Sequence, residues 1–125
     1  MRRRISMILA LAALALVGPG LVPTASAGTN ATAYSAAYVN YAKFKAYGDD
    51  LINCDNSADG HHAVVQWVDS RNPGKVHTSR VSGYGNCKNA LAGVNLAEGS
   101  GITFMSCIGE GTAIYGCGDI KSAKA

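Results

Sequence analysis

From about residue 38 onward the chain is built of short runs in which apolar and polar residues alternate, separated by stretches rich in glycine, asparagine and aspartate. Ala63, Val65 and Trp67 alternate with Val64, Gln66 and Val68, and Ile102-Thr103-Phe104-Met105-Ser106-Cys107-Ile108 repeats the same two-residue period. A strand sends successive side chains to opposite faces, so both runs read as strands with one face in a core. The apolar run at Leu51-Ile52 is separated from Ala63–Val68 by Asp55-Asn56-Ser57-Ala58-Asp59-Gly60, the densest turn signal in the chain. Asp-Gly between β-branched runs predicts a hairpin, with Gly60 supplying the positive φ of a twist-compatible turn. Lys75–Ser82 is markedly polar and is expected at a sheet edge, where charges discourage edge-to-edge pairing.

Elsewhere the pattern is less regular. Tyr34, Tyr38 and Tyr41 fall at i, i+4 and i+7, the spacing of a helix face, while Tyr41–Tyr47 alternates as a strand does. We read residues 38–47 as strand. Asp69–Gly74 and Gly83–Asn89 read as loops, Gly109-Glu110-Gly111 as a turn, and Thr112–Cys117 as a last strand. Six or seven short strands at even spacing predict an all-β fold, a small antiparallel β-sandwich. An immunoglobulin-like arrangement is the expected architecture, although the Cys–Trp–Cys order of antibody domains is absent.

The first residues do not follow the strand pattern. Arg2, Arg3 and Arg4 precede an apolar run from Ile5 to Val17, then Gly18-Pro19-Gly20 and the small residues Ala25-Ser26-Ala27. That is the layout of a cleaved secretory signal peptide over residues 1–27, leaving one domain over 28–125. The run falls short of the roughly 20 residues of a spanning helix, so no membrane association is expected after processing. Three of the 11 basic residues leave with the signal, so eight basic residues face eight acidic ones in the mature chain. Such a dispersed, balanced surface has no electrostatic footprint for nucleic acid.

A domain of this size has a modest core, and its four cysteines are expected to reinforce it. Four cysteines allow three pairings. We take Cys54–Cys87, joining the hairpin turn to the loop after the edge strand, and Cys107–Cys117, across the last hairpin.

Chemistry is sparse. Asp55, Ser57, Asp59 and Gly60 match the first half of a calcium loop, but the twelfth position is Gln66 where the motif requires a bidentate glutamate. We expect no metal and no cofactor: the carboxylates cap the turn, and the neighbours His61 and His62 point to opposite faces of a strand. No serine stands in a nucleophile elbow, and the acidic residues lie mostly in turns, so a small hydrolase is a less favoured reading, followed by a purely structural envelope component. The first expectation is a non-enzymatic binding module for an extracellular polymer or envelope component, with Trp67, Tyr41, Tyr47 and Tyr84 exposed for stacking and His61 and His62 beside them. The second is a secreted inhibitor of an extracellular protein, presenting the loop Asp55–His62 held by Cys54.

Tyr47-Gly48-Asp49, Asp55-Asn56-Ser57-Ala58-Asp59-Gly60-His61, Val64-Val65 and Asn95-Leu96-Ala97-Glu98-Gly99, together with Cys107 and Cys117, resemble a group of small secreted, disulfide-bonded, β-rich proteins of actinomycetes. The resemblance covers most of the mature chain. It implies secretion and a β-rich fold and carries no activity to any residue.

Overall fold

The computed structural model describes residues 28–125; the signal sequence expected over 1–27 lies outside the described residues. The strands are β1 (Ala31–Tyr34), β2 (Asn40–Lys45), β3 (Asp50–Asp55), β4 (His62–Asp69), β5 (His77–Ser82), β6 (Cys87–Asn89), β7 (Gly101–Glu110), β8 (Ala113–Tyr115) and β9 (Lys121–Lys124), with a 3-10 turn at Ala36–Tyr38. They form two antiparallel sheets, β1-β2-β3-β6 and β5-β4-β7-β8, and β9 pairs with the opposite half of β7 from β8. This is the two-layered all-β sandwich that the alternation predicts. The strands number nine among the described residues, rather than six or seven, because β1, β6 and β9 are three or four residues long and too short to show a period.

On β2, Asn40, Ala42 and Phe44 are buried while Lys43 and Lys45 are exposed. Phe44 and Leu51 from the first sheet meet Val65, Trp67, Ile102 and Phe104 from the second. Leu91 and Leu96 close this core from the irregular segment between β6 and β7. Each buried large side chain of this kind stabilises the fold by about 1.5–3 kcal/mol relative to exposure. Toward the other end of the sandwich the interior turns polar, with Asn40, Asn53, Asp55 and Ser106 all buried. There the side-chain amides span the two layers. Asn53 Nδ2 donates to the carbonyls of Ala63 (3.0 Å) and Ser79 (3.4 Å), and Asn40 Nδ2 to those of Cys107 (3.0 Å) and His62 (3.3 Å).

The hairpin expected from Leu51 to Val68 does not form. β3 and β4 lie in different sheets, and residues 56–61 carry the chain from one to the other. A connection of that length has the slack to cross, unlike a two-residue turn. β4 instead joins the much longer β7 in a ladder from His62↔Gly109 to Asp69↔Ile102. Gly60 does have φ +76°, and a Cβ there would meet nothing within 4 Å, so its requirement for glycine is purely one of backbone conformation.

β5 is an edge strand, as its polarity predicts. Two boundaries move. Cys87–Asn89, read as loop, pairs with β3 as β6. Gly109, read as turn, lies inside β7, where a Cβ would come within 2.6 Å of Val64 Cγ2 and 2.7 Å of Arg80 Nη1; the turn is at Gly111-Thr112 instead.

Both expected disulfides are present, Cys54–Cys87 and Cys107–Cys117, with sequence separations of 33 and 10. On the chain-entropy model these closures are worth about 3.7 and about 2.7 kcal/mol. Cys54 and Cys87 sit directly opposite on neighbouring strands, so this bond ties strands within one sheet. What the fold shares with the expected immunoglobulin-like arrangement is therefore its layering alone.

The cross-sheet amides make a sharp prediction. Asn53→Asp places an acceptor-only, charged group against two carbonyls in the buried interior and is expected to destabilise more than Asn53→Leu, which only removes the amide's two donations at a cost of about 1–3 kcal/mol. Urea denaturation at neutral pH orders the two variants, and equal midpoints would show that the amide contributes nothing specific.

Candidate functional site

The outer face of the first sheet carries a cross-strand row in which Tyr34 pairs with Tyr41, Tyr41 with Cys54 and Cys54 with Cys87. The turn joining β1 to β2 adds a third ring. The Ser35 N–H donates to the Asn40 carbonyl and the Asn40 N–H to Ser35 Oγ, both at 3.0 Å, and the Tyr38 N–H donates to the Ser35 carbonyl at 3.1 Å. Within this closed loop Ala37 and Tyr38 have φ 57° and 56°, a left-handed conformation that costs an L-residue about 1–2 kcal/mol. The bend returns Tyr38 to Tyr34, with centroids 5.2 Å apart in an edge-to-face arrangement, and Tyr34 lies 6.2 Å from Tyr41. Tyr38 is 70 % and Tyr34 44 % exposed, while Tyr41 is half-buried.

The second sheet supports this turn. The Ala36 N–H donates to the Gly116 carbonyl (2.8 Å), and the Gly118 N–H donates to the Ser106 carbonyl (3.0 Å). Cys117, between those glycines, is bonded to Cys107 on β7. A Cβ on Gly118 would overlap the Tyr34 carbonyl oxygen at 1.7 Å, so only glycine admits this approach. Between the strap and the turn opens a cleft of about 390 Å³, lined by Thr32, Tyr34 and Tyr38 from one side and Asp119 and Lys121 from the other. That volume is within the range of small-ligand sites.

Two more tyrosines share this end of the sandwich. Tyr84 stands in the β5–β6 loop, which is tied to the end of β3 by the Gly85 N–H to the Asp55 carbonyl (2.8 Å) and the Asp55 N–H to the Asn86 carbonyl (3.0 Å). Tyr115 on β8 meets His61 edge-to-face at 6.1 Å, and His61 Nδ1 is 3.6 Å from Glu110 Oε2. Five of the six tyrosines are thus at one end; Tyr47, 97 % exposed, is past the opposite end of β2.

The other sequence candidates separate. Trp67, expected at the surface, is 3 % exposed and stacks on His77 at 3.9 Å, because it shares the inward parity of Val65. His62 opens β4, half-buried, while His61 precedes it in the crossover. Asp55 Oδ1 accepts the Ser57 N–H at 3.2 Å and Asp59 Oδ1 accepts the His61 N–H at 3.0 Å, so both carboxylates cap the crossover. The Arg71 guanidinium, hydrogen-bonded to Asp69, holds that carboxyl below its usual range, but the pair lies at the far end of β4. Sequence reasoning did not select Tyr34, Tyr38, Asp119 or Lys121. The i, i+4, i+7 spacing was a signal for the tyrosines, but it pointed to a helix where the chain forms a hairpin.

Comparison of the chain with protein-family models, with curated proteins and with solved structures finds no match.

Ala37→Gly relieves a left-handed alanine and is expected to raise stability by about 1 kcal/mol in urea titration; a loss of stability would mean that the turn is not strained. Calcium at millimolar concentration is expected to leave the melting temperature within about one degree of its value in chelator, since a ligand bound only by the folded chain would raise it by mass action. Asp59→Ala is expected to lower it in both conditions, as loss of a cap does.

Proposed function

We propose that this chain is a secreted, non-enzymatic binding module that holds an extracellular polymer or envelope component at the tyrosine-rich end of its sandwich. The observation that carries the reading is the contact of Tyr34, Tyr38 and Tyr41 on an exposed face, held by a turn with two left-handed residues. Backbone strain persists where surrounding structure over-determines it, and such positions cluster at ligand sites. Tyrosine suits a wet binding surface because its ring offers apolar area while its hydroxyl stays solvated. The cleft presents one carboxylate, Asp119, where glycoside hydrolysis uses a flanking pair, which favours binding over turnover. Two disulfides accord with life in an oxidising compartment, and among the described residues no helix is long and apolar enough to cross a membrane.

A second reading, a protein antagonist, draws on the crossover loop at the same end, which the Asp55 and Asp59 caps and the Asn56 N–H to the Val39 carbonyl (3.0 Å) hold in one conformation. A rigid loop loses little entropy on docking.

Sedimentation with washed envelope fragments and insoluble polysaccharides tests the first reading. The secreted protein, whose measured mass is expected to correspond to a chain starting at Gly28, should pellet with a polymer. Tyr38→Ala should abolish pelleting and Tyr47→Ala should not. Failure of every polymer to retain the wild type, with capture of a soluble protein through residues 56–61, would replace the binding module with the antagonist.

A further inference from the structure

We infer that Arg80 is an oxyanion-binding site on the outer face of the second sheet, taking a carboxylate, phosphate or sulfate group into the fork of its guanidinium. The site shares no residue with the tyrosine-lined cleft, and it stands whether or not that cleft binds a polymer.

Arg80 stands opposite Val64 on β4, and Val64 opposite Cys107 on β7. Cross-strand partners share a face, and the residues of β4 that enter the core are Val65 and Trp67, so the Arg80 row faces out of the sandwich. Val64 is nonetheless fully buried. The Arg80 side chain runs beside it toward β7: a Cβ built on Gly109 would meet Val64 Cγ2 at 2.6 Å and Arg80 Nη1 at 2.7 Å. The guanidinium therefore occupies the slot that this glycine leaves open. Its methylenes cover apolar surface while its charged head is held in one place. Nη2 donates to the Thr112 carbonyl at 3.4 Å in a solvent-exposed contact, and Nη1 is buried without a hydrogen-bond partner.

What this guanidinium lacks is a counter-charge. Among the described residues no carboxylate lies within 4.0 Å of it, whereas Arg71, the other described arginine, is paired with Asp69 at 2.9 Å. The rows on either side of Arg80 hold Thr78, Gln66 and Met105, and Ser82, His62 and Gly109, with no acid in either. Glu110 follows Gly109 and so has the opposite parity, and its carboxylate faces His61 at 3.6 Å. Arg80 is half-buried, and a cation drawn out of water without a partner is costly until an anion joins it. The bond to Thr112 is long for an N–H donor, which leaves Nη2 open to a charged acceptor. A guanidinium held in a fixed orientation meets two oxygens of one oxyanion in parallel hydrogen bonds, and these are among the strongest a side chain makes.

The test is NMR titration of the secreted protein at fixed ionic strength with sodium phosphate, sulfate and acetate, chloride being the control. Each oxyanion is expected to shift the Arg80 Nε–H and the Gly109 and Thr112 amides saturably, and chloride is not. Arg80→Met keeps the cover over Val64 and removes the fork, so the melting temperature is expected to hold within a few degrees while affinity falls about tenfold or more. Arg80→Lys keeps charge and stem without the fork and is expected to lose about fivefold, which decides the matter if Arg80→Met does not fold. Arg71→Gln, at the far end of β4, and Tyr38→Ala are expected to leave binding unchanged. A second arm titrates a polyuronate and a poly(glycerol phosphate). Binding about tenfold or more tighter than the free ion, per charged group, assigns the site to a polymer-borne group, and equal binding assigns it to the free ion. No saturable shift with any of these anions, or undiminished affinity in Arg80→Met or Arg80→Lys, overturns the inference and leaves Arg80 as cover for Val64.

Discussion

The two sheets are set against each other by a pair of buried side-chain amides. Asn40 and Asn53 lie on the inner face of the first sheet, and each donates to two backbone carbonyls associated with the second. Apolar burial alone fixes the separation of two layers but says little about their offset, because hydrophobic attraction is non-directional. A buried hydrogen bond is directional, and leaving its partners unmade is expensive. The lower half of the sandwich, filled by Phe44, Leu51, Trp67, Phe104 and the two leucines Leu91 and Leu96, therefore provides cohesion, and the upper half provides register.

That register makes the tyrosine end possible. With the sheets held in one offset, Ser106 on β7 presents its carbonyl to Gly118, and Gly116 presents its own to Ala36 at the top of the first sheet. The Cys107–Cys117 bond keeps this strap short, and Gly118 lets it pass against the Tyr34 carbonyl. Elements of one sheet thus brace an aromatic turn belonging to the other. The strain at Ala37 and Tyr38 is maintained by that bracing and by the closed hydrogen bonds of Ser35 with Asn40. A preorganised surface of this kind forfeits less entropy on binding than a mobile loop would.

Much of the candidate site was hidden in the sequence for a specific reason. Tyr41 was legible as an aromatic on a strand, and Tyr84 as one in a loop. Tyr34 and Tyr38 were visible only as a helical spacing, since nothing local announces that Ala37 and Tyr38, neither of them glycine, will adopt left-handed backbone. Asp119 and Lys121 come from the far end of the chain and meet the turn only through the second sheet. Trp67 erred in the other direction: alternation correctly placed it with Ala63 and Val65, but which face of a strand turns inward is decided by the layer that covers it.

By itself the sequence determined the local and additive features: a two-residue period that makes strands, a polar edge strand at β5 and a glycine at position 60 with positive φ; for the four cysteines it allowed three pairings, among which the fold realises the pair chosen. These depend on neighbours in the chain, and so they can be read along it. The tertiary structure alone decided that β3 and β4 part into different sheets, where β2 and β6 take both edges of β3, and β5 and β7 both edges of β4. It also decided that five tyrosines converge on one end. Strand register and sheet offset are properties of pairs of distant segments, settled by strand pairing, buried amides and close backbone approaches that no single stretch of residues contains.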